Sequence, residues 1–192
     1  MTQKQTKIEL KGDAKKVGNG VMLTSGEHSD GELVIASPVT LSDDSWKCSY
    51  VVNISNSVGM SDVDGRGGDG VKMCFCSTDG GQELFAVSLD TFKNLENESG
   101  NEVVVYFEGT KVAQAACRER FNDGEDKTVS IVYDNDLEVV SVKVNDCSVV
   151  AYAFNDFSFY ELVQEPFIIR FTSFTGDAGG DHMVSNIGLI KI

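Results

Sequence analysis

Apolar residues recur along this chain in short, mostly alternating runs, bounded by Gly, Asn, Asp and Ser. That period of two, together with the Val and Ile content, is the mark of β-strands. The pattern predicts nine strands. The first five are "ELVIAS" (32–37), "CSYVVNIS" (48–55), "VKMCFCS" (71–77), "LFAVSL" (84–89) and "EVVVYF" (102–107). "TVSIVY" (128–133), "LEVVSVKV" (137–144), "FIIRFTSF" (167–174) and "MVSNIGLIKI" (183–192) follow. "DND" between the sixth and seventh runs predicts a tight hairpin turn. A helical reading suits only "KVAQAACRERF" (111–121). With no repeat or low-complexity run, the expectation is all-β: an antiparallel two-sheet jelly-roll sandwich with one short helix. A single domain should span 1–192, with 1–20 less regular.

Composition narrows this picture. The chain has 192 residues, 41% hydrophobic and 24% charged, enough for one domain with a sizeable core. Two prolines against nineteen glycines imply tight turns and little linker. No run approaches the length of a membrane span, so direct membrane insertion is not expected. The formal net charge of −14 repels phosphate backbones, which argues against nucleic-acid partners. The surplus acid serves either solubility or divalent cations. "MTQKQTKIEL" lacks the apolar core of a signal peptide. The chain is then either mature or trimmed, or one that never enters the secretory route. Asn53 and Asn97 begin glycosylation sequons, the basis for expecting a glycoprotein.

Several motifs mislead. "GRGGDG" (65–70) matches the dinucleotide fingerprint but leads into a strand rather than a helix. Asp62, Asp64 and Gly67 imitate an EF-hand, yet its twelfth position is Met73 where a bidentate Glu belongs. There is no nucleophile elbow and no Cys-His signature. "VSLDTF" carries Ser88 where a glycanase strand would carry a second acid. No enzyme is expected.

"FAVSLDTFKN" (85–94) is more informative. Phe85, Val87 and Leu89 share one strand face. Asp90, the Phe92 carbonyl and the Asn94 amide then follow at i, i+2 and i+4. That spacing suits a calcium loop, since calcium takes about six to eight hard oxygens. It equally suits an ordinary Asx turn.

Three segments in order, "SWKCSYVVNIS…GGDGVKMCF", "VSLDTFKN…EGTKVAQAACRERF" and "FTSFTGDAGGDHMVS", resemble the L-type (legume-type) lectins. The closest branch is that of the animal early-secretory-pathway cargo receptors. The resemblance runs from about residue 30 to the C-terminus and implies a concanavalin A-like sandwich. It implies one calcium ion at most, held by Asp90, Phe92 and Asn94, with Glu108 as the further carboxylate. Glu108 is found by counting back from Cys117, and is Glu where the family has Asp. Sugar contacts are implied for Asp69 in "GGDG", for Asn94, and for Gly176, Asp177 and Ala178. A disulfide between Cys117 and Cys147 is implied too. The family's unusual peptide before the turn aspartate implies a cis bond at Gly68–Asp69.

Departures are visible. The cargo receptors' histidine falls on Val105, the residue after the metal-loop Phe is Lys93, and the legume second-metal positions hold Ser88 and Glu102. His182 is expected to be a hydrogen-bonded structural residue and His28 an exposed one.

The implied function is a calcium-dependent carbohydrate-binding module for mannose-type glycans, with glycans or glycoproteins as partners. The alternative is a structural or protein-interaction domain that keeps the fold with lost or altered sugar binding. Five cysteines leave at least one unpaired; Cys74 and Cys76 read as small core hydrophobes. A bridge would place the chain in the secretory lumen or outside the cell. All-reduced cysteines would suit a cytosolic or viral setting. Exposed edge strands leave room for homo-oligomers.

Overall fold

A computed structural model describes residues 7–41, 45–59, 61–62, 65–66, 68–92, 100–154, 159 and 165–192. Sheet A takes, in chain order, β1 (Ile8–Gly12), β4 (Asp30–Val39), β8 (Val71–Ser77), β9 (Glu83–Asp90), β10 (Glu102–Phe107), β11 (Thr110–Ala116) and β15 (Phe167–Phe174). Sheet B takes β2 (Lys15–Val17), β3 (Gly20–Thr24), β5 (Trp46–Gly59), β12 (Lys127–Asp134), β13 (Val139–Val144), β14 (Cys147–Ala153) and β16 (Ala178–Lys191). The spatial orders are β1-β4-β15-β8-β9-β10-β11 and β14-β13-β12-β5-β16-β3-β2. A small ribbon, β6 (Ser61–Asp62) with β7 (Gly65–Arg66), stands apart. Every pairing is antiparallel, and strands distant in sequence lie side by side, as a jelly roll requires.

Alternation decides which face is buried. Val71, Met73 and Phe75 of β8 point inward with Phe85, Val87 and Leu89 of β9. They meet Trp46, Cys48 and Tyr50 of β5 and Val129 and Ile131 of β12 from the other sheet. Trp46 anchors the middle, with Phe75, Phe159 and Tyr133 packed round its ring at centroid distances of 5.4, 5.3 and 6.0 Å. Each such pair adds about 0.5–1.5 kcal/mol beyond the area it buries. Cys74 and Cys76 are buried as expected, but outside this core. They sit on the outer face of sheet A in a smaller cluster with Val34, Ala86 and Ile168.

The predicted helix is not there. "KVAQAA" is β11, antiparallel to β10 and joined to it through Glu108–Gly109. Both turn residues have positive φ, +45° and +75°, the backbone of a type I′ hairpin turn. That turn matches the twist of the strands it joins, and pairing with β10 overrides the helix preference of Ala and Gln. Seven more strands or ribbon pieces than the apolar pattern marks are present. They include β1, β2, β3, β11 and β14, mostly edge strands whose exposed faces carry Lys, Glu, Ser or Ala.

Candidate functional site

The Gly68–Gly70 turn packs closely against its neighbours because its two glycines let it. A Cβ on Gly68 would stand 2.6 Å from Thr175 Cγ2 and 3.2 Å from His182 Cε1. At Gly70, φ is +88° and a Cβ would meet the Leu89 carbonyl oxygen at 1.9 Å. Asp69 is exposed between them. Two hydroxyls fasten the turn: Thr91 Oγ1 donates to the Gly68 carbonyl, and Ser173 Oγ donates to the Gly70 carbonyl at 2.7 Å. The Gly68–Asp69 peptide is trans, as are all peptides of the described residues, so the implied cis bond is not found.

Asp90 ends β9 beside this turn. Its Oδ1 accepts the Phe92 N–H at 3.1 Å, the Asx turn that the spacing allowed. Glu102, the first residue of β10, stands directly opposite Asp90 in the antiparallel pair and is 5% exposed. Opposite residues share a face with Cβ atoms about 4.5–5.5 Å apart. Glu102 therefore brings a second carboxyl to the Asp90 end.

Glu108 cannot do so. It follows Phe107, which pairs with Phe85, and its N–H binds the Leu84 carbonyl at the other end of the same two strands. The count back from Cys117 assumed a helix after the loop. With a hairpin in its place, the count lands a full strand length from Asp90. Val105 likewise lies mid-strand, 1% exposed in the core, so it does not occupy a histidine's position at the site. Asn94, Lys93 and the Asn97 sequon lie outside the described residues.

The Gly176–Ala178 loop continues from Thr175 next to Gly68. The His28 N–H donates to the Gly176 carbonyl at 3.0 Å, and the His28 imidazole lies 3.3 Å from the Asp177 carboxylate. Ala178 opens β16 by pairing with Gly59. Asp69, the loop and the Asp90–Glu102 pair thus gather at one end of the sandwich. Beside Asp69 a shallow depression of about 210 Å³ is lined by Asp30, Lys72, Ser88 and Phe174. Phe174 is 55% exposed, an aromatic face that the pattern had assigned simply to a strand.

Beneath the turn His182 is fully buried. Ser173 Oγ has one proton, which goes to Gly70, so it accepts from the His182 Nδ1–H. Thr24 Oγ1 completes the group at 3.3 Å from Ser173. His182 Nε2 has no hydrogen-bond partner among the described residues. Burial disfavours the imidazolium and brings its pKa down to about 4. The histidine is structural, as expected. Burial would lift the neighbouring Asp181 carboxyl, but hydrogen bonds from Ser25 and Asn56 carry it below the usual range.

Cys117 and Cys147 are thiols here, as are all five cysteines. Both line a cleft of about 480 Å³ between β11 and β14, with Arg118, Glu119 and Val144. The Asn53 amide, the first sequon, donates to the Gly124 carbonyl and to Asp126 Oδ1, both at 2.9 Å.

No protein-family model and no curated protein matches this sequence. Solved structures do. The lumenal domain of VIP36 in a calcium- and mannose-bound form superposes with a TM-score of 0.76 at 15% identity, over 96% of this chain and 83% of that one. The Emp47p carbohydrate recognition domain gives 0.74 at 15% identity, over 96% and 88%. Lectin I-B4 from Griffonia simplicifolia, metal-free, gives 0.72 at 16% identity, over 96% and 93%. The chain has the L-type lectin sandwich fold.

Proposed function

We propose that this chain is a non-enzymatic, calcium-dependent carbohydrate-binding module for mannose-type glycans, working in the secretory lumen or outside the cell. The carrying observation is that the Asp69 turn, the Asp90–Glu102 pair and the Gly176–Ala178 loop, far apart in sequence, meet at one end of the sandwich. The similarity to VIP36, solved with calcium and mannose, points the same way.

The donors suit a hard cation. Calcium takes hard carboxylate and carbonyl oxygens, and two carboxyls directly opposite on neighbouring strands present theirs from one face. Asp90, Glu102 and the Phe92 carbonyl would hold the ion, with Asn94 as a further oxygen; Glu102 replaces Glu108 in this set. When bound, calcium supplies the charge that fixes these oxygens. Asp69 presents its carboxylate to vicinal hydroxyls from a turn locked by Thr91 and Ser173. Backbone groups of Gly176, Asp177 and Ala178 add polar contacts, and the exposed ring of Phe174 offers an apolar face to a pyranose. A bridge between Cys117 and Cys147 belongs to the same reading, since both sulfurs border one cleft.

Asp69→Ala should abolish signal on a high-mannose glycan array with an unchanged unfolding midpoint. Retained signal would reject the site. A second reading, a protein-interaction sandwich without sugar binding, draws on the Asx cap that already engages Asp90 Oδ1. Calorimetry separates the two: calcium heat followed by mannotriose heat supports the first, and neither heat supports the second.

A further inference from the structure

Sheet A ends in β1 and sheet B in β2, and between these edges the described residues leave a gap. The gap is a groove of about 520 Å³, within the usual range for small-ligand sites. Its walls are the buried Leu33 and Val184, the partly buried Val21 and Ile187, and the more exposed Leu10. Ile8 and Leu10 point into this space opposite Ile35 and Leu33, yet remain 58% and 38% exposed. β16 bulges here, its register with β5 shifting between Ser185 and Gly188 and Asn186 turning to φ +51°. Such bulges re-aim side chains beside binding sites.

One residue breaks the apolar pattern. Lys16 pairs with Val21 across β2 and β3, so it shares Val21's inward face and lines the groove. It is the groove's one charged residue among those described, and it makes no ion pair with the described residues. An inward lysine on an edge strand opposes pairing with another sheet, which disfavours a second copy of the chain as occupant. It favours instead a small molecule that answers its charge.

We propose that this groove binds a small amphiphilic carboxylate, its apolar body lying between the sheets and its headgroup on Lys16. Asn19 and Asn186 at the rim supply further donors to the carboxylate. The site is separate from the Asp69 end and independent of sugar binding.

The test titrates the full chain with sodium decanoate below its micelle concentration, by calorimetry and by amide chemical shifts. We expect saturable 1:1 binding, with shifts centred on Val21, Leu33 and Val184. Each methylene removed from the probe should weaken binding about fourfold. Lys16→Glu, an exposed change that should leave the unfolding midpoint intact, should weaken it about tenfold. Decanol should bind more weakly than decanoate, and Leu10→Asp should abolish both. Non-saturable heats, indifference to Lys16→Glu, or equal binding of decanol would overturn the proposal. So would a sedimentation mass showing a dimer that Leu10→Asp dissociates, since a second copy would then cover the groove.

Discussion

The two flanks of the sandwich are closed by different means. On one, β11 and β14 approach, and Cys117 and Cys147 line the cleft between them. On the other, β3 and β15 are joined by the buried Thr24–Ser173–His182 group, and farther along the strands the apolar groove lies open. The first flank carries two thiols, and the second a buried neutral histidine. The lesson is that the weak points of a two-sheet fold are its flanks, and what fills each flank decides which solution condition opens it.

The largest expected effect lies on the cysteine flank. Oxidation should raise stability by about 3–4 kcal/mol through loop closure. Urea midpoints with and without dithiothreitol measure it, and Cys147→Ser should erase the difference.

Acid should act on the opposite flank. The folded His182 holds its proton less tightly than the unfolded one, so the unfolded chain binds more protons between pH 6.5 and about 4. The histidine's contribution to stability is complete above pH 6.5 and falls through that window, by about 3 kcal/mol in all. His182→Asn, which keeps a donor near Ser173, should flatten this dependence; an unchanged slope would exclude the histidine as its source.

A smaller contrast separates the floor of the groove from its rim. Leu33→Ala, at 2% exposure, should cost about 2–5 kcal/mol. Ile8→Ala, at 58% exposure, should cost well under about 1 kcal/mol. Equal losses would mean that the rim is covered in solution. At the candidate site itself, Gly70→Ala should cost about 1–3 kcal/mol and displace Asp69, because the left-handed backbone and the Leu89 carbonyl leave no room for a methyl group. Calcium heats in this variant test whether the turn and the Asp90 end act as one unit.

The central strands were legible because burial on one or both faces writes itself as Val, Ile and Phe at every second position. β5, β8, β9, β10, β12, β15 and β16 follow that rule. β1, β2, β11 and β14 are edge strands, where half the positions meet water and the apolar signal thins out. "KVAQAA" shows the consequence, for its local preference is helical and only the Glu108–Gly109 turn, a long-range pairing device, makes it a strand. The same error misplaced the second carboxyl. Asp90 was marked by the spacing of its own turn, and Asp69 and the Gly176 loop by the ordered resemblance to the lectins. Glu102 was visible only as a second-metal position, and its place opposite Asp90 came from register, since β10 runs from Glu102 to Phe107 and sends Glu102 and Glu108 to opposite ends. Phe174 reads as one more apolar strand residue until the fold exposes it.

The Glu108–Gly109 turn has a practical use. It projects from the end of the molecule remote from Asp90, and its Cβ-free glycine faces open space. A fluorophore, biotin or tether introduced there would hold the chain to a chip with its opposite pole outward. Immobilised in that orientation, neighbouring copies on a bead would present their Asp69 turns side by side, within reach of one branched oligosaccharide if the proposed site binds sugar.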